Sequence, residues 1–155
     1  MARIQCYFFL FLCFFYFGCE NNNVKTRQYD SSLEESAVYA YEAQNYEKAV
    51  YYFNQLIKDD SSIGRYYYMR ASSYGILGQA EKGANDYLAS ARFGYMKSAS
   101  YFNAGLLNTY VKDSLALIYF EQSLEQFDGS EPGLTKDMIQ KKYEECSTRL
   151  KNEIK

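Results

Sequence analysis

Residues 71–87 read ASSYGILGQAEKGANDY, and related stretches occur 34 residues before and 34 residues after them. The earlier copy, residues 37–53, reads AVYAYEAQNYEKAVYYF, and the later one, residues 105–120, reads GLLNTYVKDSLALIYF and is one residue shorter. Small and aromatic residues coincide across the copies: Ala37, Ala71 and Gly105; Ala49, Gly83 and Ala116; Phe53, Tyr87 and Phe120. A fixed period of this length indicates a solenoid, whose repeats pack on their neighbours.

Within each copy the apolar spacing is helical. Ala49, Phe53, Leu56 and Ile57 recur at i, i+4, i+7 and i+8, which places them on one face of a helix. Short polar or glycine-containing breaks in the middle of each unit are what a two-helix hairpin requires. The pattern predicts helices near 31–43, 46–58, 64–77, 80–93, 98–110 and 113–127.

Three such hairpins resemble tetratricopeptide (TPR) repeats, with units at 30–63, 64–97 and 98–128. The resemblance implies an all-α fold, an α-solenoid in which the small residues lie where the two helices of a hairpin come closest. Two features depart from the family pattern. No unit ends in the customary proline, and Leu56, Ser90 and Ser123 stand where the family has alanine late in the second helix.

Pro132-Gly133 ends the repeat pattern, and a last amphipathic segment follows it. Its apolar stripe predicts a helix over 134–154 within a final region of linker and helix, 129–155. We interpret this helix as a cap, because the last repeat of an array otherwise exposes its apolar side. Docking of this helix on a partner is the alternative. The stripe consists of Ile139, Tyr143, Cys146, Leu150 and Ile154.

The first 18 residues form a separate segment with eight aromatic residues and one charge, Arg3. Its apolar run, 4–17, reaches about 21 Å as a helix, too short to span a bilayer but typical of a secretory signal. Gly18-Cys19 resembles the cleavage site of bacterial lipoprotein signal peptides, although Tyr16 and Phe17 are bulkier than that pattern has. The resemblance implies a lipid on Cys19, a flexible tether within 19–29, and a membrane-anchored protein of the bacterial cell envelope, in the outer membrane. A cleaved signal without lipid and an apolar N-terminus of a cytosolic protein are the alternatives.

The composition excludes several function classes. With 17 basic and 19 acidic residues the formal net charge is −2, so no basic surface indicates nucleic-acid binding. The chain has no histidine, no Gly-rich phosphate loop and no cysteine pair at metal-binding spacing. Cys6 and Cys13 lie in the leader, and Cys146 is interpreted as a small core residue. We therefore expect no enzyme, no catalytic residue, no metal and no cofactor.

The remaining candidate is a binding surface. In the TPR family the first helix of each unit lines a groove, and aromatic residues and methionine are enriched at binding hot spots. Some members clamp a peptide's terminal carboxylate with Lys, Asn and Arg, but the clamp positions here read Glu34, Val38, Met69, Ala99 and Asn103, without cations, so that activity is excluded. The predicted groove consists of Val38, Tyr41, Tyr68, Met69, Ile76, Phe102, Asn103, Leu106 and Tyr110.

Together these observations predict a lipid-anchored TPR adaptor that holds another envelope protein, or a peptide segment of one, at a membrane. The alternative is a lipoprotein that binds a glycan or small ligand by stacking it on Tyr41, Tyr68 and Tyr110. A third hypothesis is an enzyme accessory protein whose partner supplies all of the catalysis. The groove aromatics could also be covered by the C-terminal helix, or reflect the general abundance of tyrosine in this chain.

Overall fold

The computed structural model describes residues 31–109 and 111–153, which form seven helices and no strand. Every predicted helix is confirmed, with bounds within two residues of those expected. Each helix packs on the next one along the chain, so the core is distributed along a row of hairpins. The helices are α1 (Ser31–Glu42), α2 (Tyr46–Asp59), α3 (Gly64–Ile76), α4 (Ala80–Arg92), α5 (Lys97–Asn108), α6 (Asp113–Gln126) and α7 (Lys136–Glu153).

The small residues of the repeat lie at the closest crossings between helices. Ala37, Ala49, Ala71 and Ala116 are fully buried. A Cβ atom added at Gly83 would lie 3.0 Å from the backbone oxygen of Ala71, closer than ordinary packing allows. The α3–α4 hairpin therefore depends on a close backbone approach that a larger side chain at Gly83 would separate.

Buried serine pairs explain why Ser90 and Ser123 replace alanine. The Ser98 hydroxyl donates to the Ser123 carbonyl oxygen at 2.8 Å, and the Ser123 hydroxyl donates to the Ser98 carbonyl oxygen at 2.9 Å. Between α4 and α5, the hydroxyls of Ser90 and Ser100 both donate to the Tyr95 carbonyl oxygen. Because every one of these buried hydroxyls has a partner, serine fits the tight crossings at no desolvation penalty.

An ion pair that the repeat pattern does not predict joins three helices. Arg70 of α3 donates to both carboxylate oxygens of Asp86 on α4, at 2.6 and 2.7 Å. Its remaining terminal nitrogen donates to the Asn54 side-chain oxygen on α2 at 2.7 Å. Both charged side chains are largely buried, so the bidentate geometry replaces the water that each loses.

The last helix covers the end of the third hairpin, as predicted. Ile139 and Cys146 are fully buried in one apolar cluster with Phe102 and Phe120. The Cys146 thiol donates to the Asp113 carbonyl oxygen, and burial raises the pKa of this thiol to about 11, so it stays protonated at neutral pH. Cys146 is thus a core residue and not a nucleophile.

The linker before α7 also contributes to the third hairpin. Glu131 accepts hydrogen bonds from the backbone N–H groups of Ser98 at 3.0 Å and Ala99 at 2.6 Å. These groups belong to the first turn of α5, whose preceding residue, Met96, has no capping side chain and adopts a φ of 41°. A carboxylate from a distant part of the sequence therefore caps this helix.

Candidate binding groove

Two hydrogen bonds between neutral side chains connect the first helices of the three hairpins. The Tyr41 hydroxyl of α1 lies 2.9 Å from the Ser72 hydroxyl of α3. The Asn103 amide of α5 donates to the Tyr68 hydroxyl of α3 at 3.0 Å. These bridges fix the spacing of α1, α3 and α5, and the surface they cross is called the groove below. Its described residues are Val38, Tyr41, Tyr68, Met69, Asn103 and Leu106, all half-buried, and Ile76, which is 57% exposed.

Two other predicted site residues, Tyr110 and Cys19, lie outside the described residues. Phe102 is described and is only 7% exposed. Its ring centroid lies 5.7 Å from that of Phe120, and the same cluster contains Ile139 of α7. We expected this ring to face the groove; the structure instead places it in the core, because α6 and α7 enclose it.

The middle of the groove contains Tyr68, which stays a neutral donor and acceptor. The Tyr68 ring makes edge contacts with Tyr87 and Tyr95, with centroids 5.1 and 5.6 Å apart. Burial raises the pKa of Tyr68, and burial followed by the neighbouring Tyr68 raises the pKa of Tyr87. The middle of the groove is consequently uncharged at physiological pH and offers hydroxyl, amide and apolar contacts.

An open cleft of about 350 Å³ lies at the α1 end of the groove. It is formed by α1 together with Arg65 at the start of α3, and we call it the acidic cleft. Arg65 approaches Glu34, with the terminal nitrogen 3.2 Å from the carboxylate oxygen. Two of the residues that line this cleft, Glu34 and Val38, are clamp positions that lack the cations of a carboxylate clamp. The cleft residues are Glu34, Glu35, Val38, Tyr39, Glu42 and Arg65.

A second cleft, of about 300 Å³, lies where α5 meets α7, and we call it the α7 cleft. Its charged groups are paired: Lys142 contacts Glu145 at 2.8 Å, and Arg149 donates to both carboxylate oxygens of Asp113. The Arg149 hydrogen bonds hold the pKa of Asp113 below its ordinary value. The repeat pattern gave no signal for this cleft, because its walls are 33 or more residues apart in the sequence. Its lining residues are Leu106, Thr109, Lys142, Glu145 and Arg149.

Residues 31–109 and 111–153 contain no group of three His, Cys, Asp or Glu side chains that could hold a metal ion. Over the same ranges, none of the helices has the length and apolar character needed to cross a membrane.

Comparison with solved structures gives the fold its name. SycD, a type III secretion translocator chaperone of Yersinia enterocolitica, superposes with a TM-score of 0.69 over 77% of this chain and 84% of its own, at 16% identity. The first TPR of Spaghetti (RPAP3), bound to the HSP90 peptide SRMEEVD, gives 0.64 over 77% and 90%, at 18% identity. The TPR2B domain of yeast Sti1, in complex with an Hsp70 peptide, gives 0.67 over 76% and 95%, at 15% identity.

These similarities and the hairpin architecture establish an all-α TPR solenoid, which confirms the predicted fold class. SycD has also been solved in complex with a peptide of the translocator YopD. No protein-family model matches the chain, and no curated protein matches its sequence.

Proposed function

We propose that this protein is an adaptor whose groove holds a segment of another protein, and that it acts by binding and not by catalysis. The observation that carries the proposal is the groove itself, in which α1, α3 and α5 are bridged at fixed spacing and present half-buried apolar and aromatic side chains. Such surfaces supply the buried anchors of peptide recognition. The peptide complexes of RPAP3, Sti1 and SycD give this use of the fold further support.

Site-specific photo-crosslinking in cells tests the groove. A photo-crosslinking amino acid replaces Ile76, which is 57% exposed at the groove, or Ile118, which is 48% exposed on α6 and serves as the matched control. We expect a covalent adduct with a partner protein from position 76 and none from position 118. Adducts from position 118 alone would move the binding surface to α6 and contradict the proposal.

We further propose that the adaptor works at the bacterial cell envelope, anchored to the outer membrane by lipid on Cys19. The proposal rests on the apolar leader and the Gly18-Cys19 pair. Stable anchoring takes two acyl signals, since one chain binds membranes only marginally. Mass spectrometry of the mature N-terminus and fractionation of the Cys19→Ala variant test it. An unmodified Cys19, or a mature protein that starts elsewhere, would contradict lipidation without affecting the groove.

A glycan or small ligand is less well supported as the occupant. Sugar stacking needs open aromatic faces. Tyr41 and Tyr68 are half-buried, and each already makes an edge contact with another ring, Tyr41 with Tyr46 at 5.9 Å and Tyr68 with Tyr87. We therefore propose a protein segment as the occupant.

A further inference from the structure

We infer that the acidic cleft selects a partner segment that carries lysine or arginine next to apolar residues. This inference deepens the proposed function and rests on it, because the cleft is the α1 end of the same groove. Three glutamates and one arginine line the cleft, so its net charge is negative. A bound segment that continues from the neutral middle of the groove into this end meets that negative charge.

The glutamates are not neutralised equally. Arg65 contacts Glu34 at 3.2 Å, whereas Glu35 and Glu42 are exposed and form no ion pair with any described residue. In the α7 cleft, by contrast, Lys142 pairs with Glu145 and Arg149 pairs with Asp113. The groove is therefore electrostatically asymmetric, with its uncompensated charge at the α1 end.

The position of Glu42 adds a second argument for a cationic ligand. Glu42 is the last residue of α1, and the last turn of that helix has no basic residue. A carboxylate at the C-terminal end of a helix faces the negative end of the helix dipole, which is unfavourable. A cation held there would offset both the carboxylate and the exposed carbonyl groups.

The apolar residues of the cleft fit the remainder of a lysine or arginine side chain. Val38 and Tyr39 line the same space as the glutamates, and Tyr39 is 74% exposed. Aliphatic stems of basic side chains pack on apolar surface while their charged ends stay near carboxylates, and a cation over a tyrosine ring gains further attraction.

Selection from a random peptide library displayed on phage, with the full-length protein purified in detergent, tests the inference. We expect the enriched peptides to contain lysine or arginine beside aliphatic or aromatic residues. Their synthetic versions should bind the Glu35→Gln, Glu42→Gln double variant about tenfold more weakly, since two exposed ion pairs are lost. Glu81→Gln and Glu125→Gln, which remove exposed glutamates from α4 and α6, are the matched controls and should leave the affinity unchanged.

The salt dependence gives an independent readout. Binding of the selected peptides should weaken from about 0.01 M to about 1 M salt, where the screening length falls from about 30 Å to about 3 Å. The double variant should have lost most of this dependence. A basic peptide that binds the double variant as tightly as it binds the native protein binds outside the acidic cleft, and that result would overturn the inference.

The remaining outcomes separate the inference from the proposed function. If the enriched peptides lack basic residues and the Leu106→Ser variant no longer binds them, the cationic preference is overturned. Binding in the groove would still stand. No enriched peptide at all would count against both. If the Lys25→Gln, Arg27→Gln double variant binds peptides more tightly, the occupant of the cleft is the chain's own cations. If the protein is a dimer that the two glutamate changes dissociate, the occupant is a second copy.

Discussion

A Cβ atom at Gly105 would lie 2.6 Å from the ring carbon Cε1 of Phe120, a distance that side chains in folded proteins do not adopt. Gly105 is on α5 and Phe120 is on α6. The Phe120 ring fits against α5 because Gly105 has no side chain. In the repeat alignment this contact is the third-hairpin equivalent of Ala71 with Tyr87, which lie in one buried cluster of the second hairpin. The repeat period thus has a direct packing cause.

The Gly105→Ala variant should be less stable than the native protein by about 1–3 kcal/mol, because the added methyl group overpacks the hairpin. Gly75→Ala is the control, since its Cβ would meet only the flexible end of Leu107, at 3.3 Å. That change should be neutral or stabilising, because alanine favours helix over glycine by about 1 kcal/mol. Chemical denaturation followed by circular dichroism measures both, and equal shifts would contradict the packing argument.

Removal of one member of the buried ion pair should be costly. Asp86→Ala leaves the largely buried Arg70 guanidinium without its carboxylate, for an expected loss of about 3–5 kcal/mol of unfolding free energy. Glu81→Ala, on the exposed face of the same helix, should change stability by less than about 0.5 kcal/mol. A loss in Asp86→Ala no larger than in Glu81→Ala would show that the pair contributes nothing.

Phe102→Ala should destabilise the fold by about 3–5 kcal/mol, since it opens a cavity among residues of α5, α6 and α7. Tyr68→Phe removes only the hydroxyl that accepts from Asn103 and should cost about 1 kcal/mol. Thermal melts compare the two variants. If Phe102→Ala melted like the native protein, its ring would belong to the groove after all.

Attachment of α7 should weaken at acidic pH. Arg149 holds the pKa of Asp113 below its ordinary value of 3.8, so the Asp113 carboxylate contributes stability above about pH 4 and loses it as the pH falls through the lower, folded-state pKa. At pH 7 Asp113→Asn should be less stable than the native protein by about 1 kcal/mol. The difference should vanish in acid, as urea denaturation at a series of pH values would show.

Glu125→Gln is the control for this pH dependence, because it changes an exposed acid on the same helix that has no ion pair among the described residues. Its stability should follow that of the native protein at every pH. If the difference in unfolding free energy between Asp113→Asn and the native protein stayed constant with pH, the carboxylate charge would not be what holds α7.

Much of the architecture was predictable from local pattern. Ala37, Ala71 and Gly105 are small because each lies at a helix crossing, and the crossing recurs at every repeat, so periodicity in the sequence reports periodicity in space. Of the apolar stripe predicted for α7, Ile139 and Cys146 are buried, Tyr143 and Leu150 are half-buried, and Ile154 lies outside the described residues. Such predictions need only neighbours in the chain or in the adjacent repeat.

The binding surface depended on contacts between residues far apart in the sequence. The family pattern placed Phe102 and Tyr68 at equivalent positions. Phe102 belongs to the buried cluster that contains Ile139 and Cys146 of α7, whereas Tyr68 only packs against that cluster and stays half-buried. Arg70 with Asp86, and Glu131 at the first turn of α5, carry no repeat signal because each pairing occurs once in the described chain.

The sequence by itself therefore determined the number, length and packing faces of the helices, since these follow from periodic apolar spacing and the size of single residues. Tertiary structure alone decided which groove positions stay open and which charges remain unpaired. Both depend on what the last helix and the neighbouring hairpins place opposite each side chain. Arg65 forms an ion pair only with Glu34, so Glu35 and Glu42 stay exposed without an ion pair among the described residues. Distances in the folded protein decide which glutamate is paired, and the spacing of these residues in the sequence does not predict it.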